Sequence, residues 1–283
     1  MSTFEQRTPT AAEVKEIARD SGIDLVGIAP IERFDGVGAE ADPRSVMGHT
    51  RSVIALGHRI PRGSLRGAQT GKAFRGLSMN SPFNYALTRT YRLCCRLEST
   101  GWEALPLYPH SRDERNQGVP VAEGRPAPNV VLDVEFAAHA AGLGHLGRGG
   151  LFLTPEFGPR QFFTFVATDL ELDPDPPLSQ EAVCDNCGAC ARACPAGALS
   201  TEALQKLALC EGEAALYGLR LEHCRVCPMT ANLSTPYGTG KEPWRLAAAC
   251  ALACVEHLED EGKLTRSFHN RFRRTPNEEP PTC

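Results

Sequence analysis

Residues 184–195 read CDNCGACARACP, four cysteines in a short run with a proline directly after the last. The spacing C-x2-C-x2-C-x3-C-P is one by which thiolates hold iron–sulfur clusters, and it sets Cys184, Cys187 and Cys190 on one tight loop around three corners of a cuboidal cluster. The step before Cys194 is expected to start a helix and turn that thiolate away, toward a second cluster. Pro195 suits the first helical turn, where its missing N–H costs little. Gly188, Ala189, Ala193, Ala196 and Gly197 are small enough to let backbone approach inorganic sulfide. Zinc is the competing metal, but structural zinc sites usually join two distant C-x2-C units, and so dense a run is unusual for them.

The chain of 283 residues has twelve cysteines, of which only Cys94 and Cys95 precede residue 180 while seven fall between 184 and 227. The thiol chemistry therefore belongs to one segment. Downstream, Cys210 stands alone and HCRVCP (223–228) supplies Cys224 and Cys227. Two 4Fe–4S clusters take four ligands each, and this tally leaves the second cluster one short. A C-x2-C-x3-C-P repeat would put cysteines at 220 and 223, where the chain has Arg220 and His223. The eighth ligand is then His223, Cys250 or Cys254, or the second cluster is incomplete. Cys250 and Cys254 read equally well as small buried hydrophobes one turn apart on an Ala-rich helix. The expected pairing closes the first cluster with Cys184, Cys187, Cys190 and Cys227, and gives Cys194, Cys210 and Cys224 to the second.

Several function classes are disfavoured by composition. A net charge of -4 argues against a nucleic-acid or polybasic membrane surface. No apolar run is long enough to span a bilayer. The opening MSTFEQRTPT has neither an apolar signal segment nor paired arginines, so a cytoplasmic protein is expected. In that compartment thiols are kept reduced, which favours metal or redox roles over disulfides.

The elements that must position these residues follow from periodicity. Thr10 and Glu13 form a capping-box pattern ahead of a short helix through about Asp20. DLVGIAP (24–30), SVIALGH (52–58), WEALPLY (102–108) and QFFTFVATDLEL (161–172) read as strands. Helices are expected from Asn84 to about Ser99, over 134–141 and from about Trp244 to Glu261. Residues 61–82 and the polar stretch 109–128 read as loops, and DPDPP (173–177) as a hinge-like linker. Short helices are expected after it, and the tail ending in Cys283 carries no ligand role. The pattern predicts an α/β (α+β) fold with an α/β core over 1–176, an iron–sulfur module over 177–235 and a C-terminal helix and tail over 236–283.

A longer run carries a family resemblance. AGLGHLGRGGLFLTPEFGPRQFFTFVATDLELDPDPPL (141–178), followed by the cysteine run, resembles corrinoid-dependent reductive dehalogenases, and the same order of parts occurs in epoxyqueuosine reductases. Residues 11–29, the SVIALG strand and 84–106 resemble both families more weakly. The resemblance implies a nitroreductase-like core binding cobalamin and a ferredoxin-like module with two 4Fe–4S clusters that deliver electrons to cobalt. It assigns Gly142, Gly144, Gly147, Thr154, Gly158 and Arg160 to the cofactor. Glycines here would let backbone approach a large ring, though a glycine-rich turn without a ligand fits them too. Arg160 could pair with a phosphate or propionamide group, or sit in a surface ion pair. No GxGxxG run is present to suggest a dinucleotide.

A reductase also needs an acid near the reacting centre. Asp133 lies upstream of the AGLG run with Glu135 close by, and it reads equally as a helix N-cap. Tyr108 and His110, at a strand end, are the alternatives. His145 is placed to donate a proton or to ligate a metal, or else to pack. The expected substrate is a small molecule, halogenated or epoxide, with electrons from an external donor such as ferredoxin or flavodoxin and with no nucleic acid. The other readings are a cobalamin-reducing redox protein and a ferredoxin-like carrier without a substrate of its own.

Overall fold

Thr10 opens the first helix as its residue type dictates: its hydroxyl accepts from Glu13 N at 3.3 Å, and the Glu13 carboxylate accepts from Thr10 N at 2.9 Å. The computed structural model describes residues 8–65, 75–108, 122–124, 130–227, 245, 248–270 and 272. His110, Trp244 and Cys283 lie outside the described residues. The chain divides into two compact units, one of residues 1–58, 83–143 and 163–177 and the other of 59–82, 144–162 and 178–283. This is a mixed α/β architecture, but the division is not linear, because the AGLG segment from Gly144 on groups with the cysteine region.

In the first unit α1 (Ala11–Asp20) lays Val14 and Ala18 against strand β1 (Leu25–Pro30). β1 pairs antiparallel with β2 (Ser52–Arg59), setting Ile28 opposite Ile54. A four-stranded sheet results in the order β1-β2-β6-β3, from β3 (Ala104–Leu107) and β6 (Gln161–Thr168). β6 stops before the expected residue 172 because the Thr168 hydroxyl accepts from Leu170 N at 3.2 Å and turns the chain. Helix α2 (Arg75–Glu98) buries Ala86, Thr90, Leu93, Cys94 and Leu97, one helical stripe. It starts inside the segment expected to be a loop. Its Gly, Ser and Pro are weak helix formers, and propensity of this size gives way to context.

Helix α3 (Val134–Ala140) ends so close to β1 that a Cβ on Gly27 would lie 2.1 Å from Ala141 O. The expected hinge at 173–177 is instead clamped. Asp175 accepts from Ile28 N at 2.9 Å and from Lys15 Nζ at 2.5 Å, while Arg33 donates to Asp175 O at 2.6 Å and Ala140 O at 2.7 Å.

The second unit holds a two-stranded ribbon, β4 (His145–Leu146) and β5 (Phe152–Leu153), and a hairpin, β7 (Leu199–Ala208) and β8 (Glu213–Leu219). The short helices expected after residue 177 are present, but the hairpin between them was not expected. LSTEALQKLA has a helical composition, yet pairing across Gly212 at φ 77 decides the outcome, with β7 exposed along most of its length. Short helices α4 (Ala189–Arg192) and α5 (Leu221–Arg225) and a longer α6 (Ala249–Asp260) complete the unit. Among the described residues no helix is long and apolar enough to cross a membrane.

Candidate metal centre

The CDNCGAC loop is shaped by two residues with positive φ, Asn186 at 60° and Gly188 at 73°. Asparagine and glycine adopt this region readily, and here it reverses the chain twice within one ligand loop. Tyr217 OH donates to Asn186 Oδ1 at 2.7 Å and anchors the loop to β8. Helix α4 begins at Ala189 and is over before Cys194, so Pro195 lies in the turn after that cysteine and not in a first helical turn. Gly197 N donates to Cys194 O at 3.2 Å across this turn, a place where proline's preset φ is also favourable.

Cys184, Cys187 and Cys190 line a cleft together with Cys254 of α6. A second cleft is lined by Cys194, Cys224, Cys227 and Cys250. Cys250 and Cys254 stand one turn apart on α6, which packs on the α4 helix that carries Cys190. Eight thiols are thus gathered as two quartets. This grouping departs from the expected one. Cys227 lines the cleft of Cys194 and Cys224, and Cys254 takes its place with the first three.

The two remaining candidate ligands line neither cleft. Cys210 sits in the turn of the β7–β8 hairpin. His223 has its Nδ1 3.2 Å from Ala196 O.

Electrostatics in the quartets calls for a cation. Burial pushes the Cys190 thiol up to about 11, with Cys250, Cys184 and Cys187 adding to the effect. Cys254 is raised further, by burial first and then by Cys190, Cys184, Cys187 and Cys250. Cys187 and Cys224 are also raised, chiefly by burial. For these four the neutral thiol is favoured in the bare protein, and a metal bound beside them would supply the positive charge that favours the thiolate.

The glycines assigned to a corrinoid are accounted for within the chain. A Cβ on Gly149 would lie 2.7 Å from Cys190 Sγ, and one on Gly147 3.5 Å from Cys184 Sγ. Arg148 N donates to Cys184 Sγ at 3.4 Å. The GRGG turn therefore packs on the first quartet. Gly142 meets Pro176 O at 2.6 Å, Gly144 meets Leu153 O at 2.1 Å and Gly158 meets Leu258 at 2.9 Å by the same measure. Thr154 donates to Gln161 Oε1 at 3.1 Å and accepts from Phe157 N at 3.2 Å.

Arg160 is 2% exposed and donates to Ile60 O at 3.0 Å, with Glu259 4.0 Å away and its guanidinium over Phe268 and Phe157. It is a buried carboxylate partner and not a surface anchor. These residues are thus engaged by the chain.

Asp133 is the N-cap of α3, accepting from Phe136 N at 3.1 Å. Tyr108, half-buried after β3, has its phenol raised by burial and then by Cys94. His145, 4% exposed, has its Nδ1 2.9 Å from Leu146 O. Asp133 and Tyr108 belong to the first unit and His145 to the second.

Sequence reasoning missed Arg245 and Asp185. Asp185, inside the ligand loop, accepts from Cys187 N at 3.2 Å, pairs with His257 Nε2 at 2.8 Å and is hydrogen-bonded by Lys263. Burial alone would raise its carboxyl, but the bonds from Lys263 and His257 outweigh this and hold it well below the usual carboxylate range. Its place between two spaced cysteines was the only signal available.

The class defined by these features is that of iron–sulfur proteins: residues 180–200 match the 4Fe-4S binding domain family. The relatives are more particular. The chain is 52% identical over 73 residues to the tetrachloroethene reductive dehalogenase of Dehalobacter restrictus, covering 25% of this chain and 13% of that one. It is 28% identical over 215 residues to the epoxyqueuosine reductase of Gloeobacter violaceus, covering 68% and 61%.

A solved reductive dehalogenase, described as suggesting a mechanism for B12-dependent dehalogenation, matches 89% of this chain and 36% of its own at a TM-score of 0.53 and 20% identity. An epoxyqueuosine reductase solved with a tRNA stem loop matches 66% and 52% at a TM-score of 0.42 and 18% identity. The chain is thus a relative of both families, whose members are oxidoreductases. It spans less than two thirds of the length of either curated relative.

Proposed function

We propose that the chain is an iron–sulfur reductase with two 4Fe–4S clusters, one on Cys184, Cys187, Cys190 and Cys254 and the other on Cys194, Cys224, Cys227 and Cys250. The observation that carries this reading is the gathering of eight thiols into two lined clefts. Bound clusters supply one-electron transfer. The chain's own residues fix the thiols: the Asn186 and Gly188 turns aim three of them inward, and α6 presents one thiol to each quartet. Small glycine neighbours admit the inorganic core, and Arg148 N and Ala198 N donate to Cys184 Sγ and Cys194 Sγ, at 3.4 Å and 3.2 Å, where donors stabilise a thiolate.

The electrons are proposed to serve a corrinoid in a nitroreductase-like core and, through it, reduction of an organic substrate, with a soluble electron-transfer protein as donor and a cytoplasmic location. Kinship supports this part. The substrate class is a halogenated or epoxide-type molecule, the two chemistries of the relatives' names. The expectation that no nucleic acid is involved is not carried forward, since one epoxyqueuosine reductase is solved with a tRNA stem loop. The internal engagement of these glycines and Arg160 favours a second reading, a redox carrier with no corrinoid of its own.

Anaerobic reconstitution with iron, sulfide and cobalamin separates the two. About eight iron atoms per chain are expected, with corrinoid retained through gel filtration. Iron near half of that overturns the two-cluster reading, and eight irons without retained corrinoid leaves the carrier.

A further inference from the structure

Arg245 belongs to no motif of the sequence, yet it lines the second cleft. Its Nη2 donates to Gly149 O at 2.6 Å and to Cys250 Sγ at 3.8 Å, and its Nη1 donates to Gly150 O at 3.4 Å. Gly149 is the glycine whose absent Cβ makes room for Cys190 Sγ. One guanidinium therefore grips a turn that abuts the first quartet and touches a thiol of the second.

The charges around the two quartets differ. Beside the first, Asp185 pairs with Lys263 and His257, Arg148 lines the cleft and Arg192 donates to Cys187 O at 2.8 Å, while the donor to a ligand sulfur is the backbone N of Arg148. Beside the second, Arg245 is a cation in contact with a ligand sulfur. Reducing a cluster adds one negative charge to it. A fixed cation within a few ångströms, in a partly buried cleft, favours the reduced form, and hydrogen bonds to ligand sulfur act in the same direction.

We propose that Arg245 is a positioning residue that holds the glycine turn 149–150 on Cys250 and raises the reduction potential of the cluster bound at the second quartet, with a smaller effect on the first. This rests on the two-cluster reading above.

The test is an anaerobic potentiometric titration of the reconstituted full chain, followed by electron paramagnetic resonance. Arg245→Gln and Arg245→Met are expected to hold about eight irons and to lower one midpoint by a tenfold change in reduction equilibrium, about 59 mV for one electron. Arg245→Lys should recover part of the shift. Eight irons with unmoved midpoints, or with both moved equally, overturns the inference and leaves the clusters in place. Loss of second-cluster iron in both neutral variants, with Arg245→Lys retaining it, shows a holding role alone and overturns the assigned effect on potential. A wild-type chain with half the iron overturns the two-cluster reading itself, and with it this inference.

Discussion

The two thiol quartets are built by different means. Three members of the first come from one loop, Cys184 to Cys190, whose curvature is set by Asn186 and Gly188, and only Cys254 is remote. The second has no local nucleus of that kind: Cys194 follows α4, Cys224 and Cys227 bracket the end of α5, and Cys250 arrives on α6. A loop can hold three thiols in place by backbone conformation alone. Bringing three separate segments together depends on the packing around Leu199, Tyr217, Ala249, Leu252 and Val255. The first quartet is thus a property of a motif and the second a property of the folded unit.

The sharpest way to break this comparison is to remove the thiols that α6 contributes. Cys254→Ser and Cys250→Ser are each expected to lose about four of about eight irons per chain, from the first and second cluster respectively, as iron analysis and resonance spectra would resolve. Cys210→Ser and His223→Ala should leave the count unchanged, because neither side chain lines a cleft. A loss of iron in either control would restore the pairing expected from spacing.

A smaller effect is expected from Gly149→Ala. The new methyl would meet Cys190 Sγ at 2.7 Å and Cys190 Cβ at 3.2 Å, an overpacking that typically costs about 1–3 kcal/mol. The measurement is the rate of cluster loss in chelator, which should rise at the first cluster and stay as it was at the second.

Asp185→Asn tests the clasp beside the first quartet and should cost least, about 0.5–1 kcal/mol after solvent screening of a partly exposed pair. The sign of its pH dependence follows from the lowered carboxyl. A group with a depressed folded pKa stabilises above its unfolded value, near 3.9, and that contribution disappears as pH falls through the lower folded value. Acid titration of unfolding should therefore show wild type and variant converging at the acid end; a constant difference across the range would remove the ionic account.

Much of the first unit was legible in the residues. The Thr10 capping box, the strands at 25–30 and 52–59 and the helix at 134–140 follow from capping chemistry and periodicity, and Asp133 is the N-cap that its type allowed. The β7–β8 hairpin was not legible, since Ala, Leu, Glu, Lys and Gln favour a helix wherever tertiary pairing does not intervene. The GRGG glycines were seen as a close-approach signal, but not what approaches them: Cys184 and Cys190 are distant in sequence, and glycine records only that space is needed.

By itself the sequence determined the metal class, through the dense C-x2-C-x2-C-x3-C run, and the kinship, through residues 141–178 joined to it. It also determined that Cys250 and Cys254 share one face of a helix, since i and i+4 do so in any α-helix. Whether that face met the core or the clefts was decided by tertiary structure alone. A buried cysteine that only packs and one that lines a metal site have the same residue type and the same hydrophobic periodicity. The difference lies in what stands across from the sulfur, and only the folded chain sets Cys254 beside Cys184, Cys187 and Cys190, and Cys250 beside Cys194, Cys224 and Cys227.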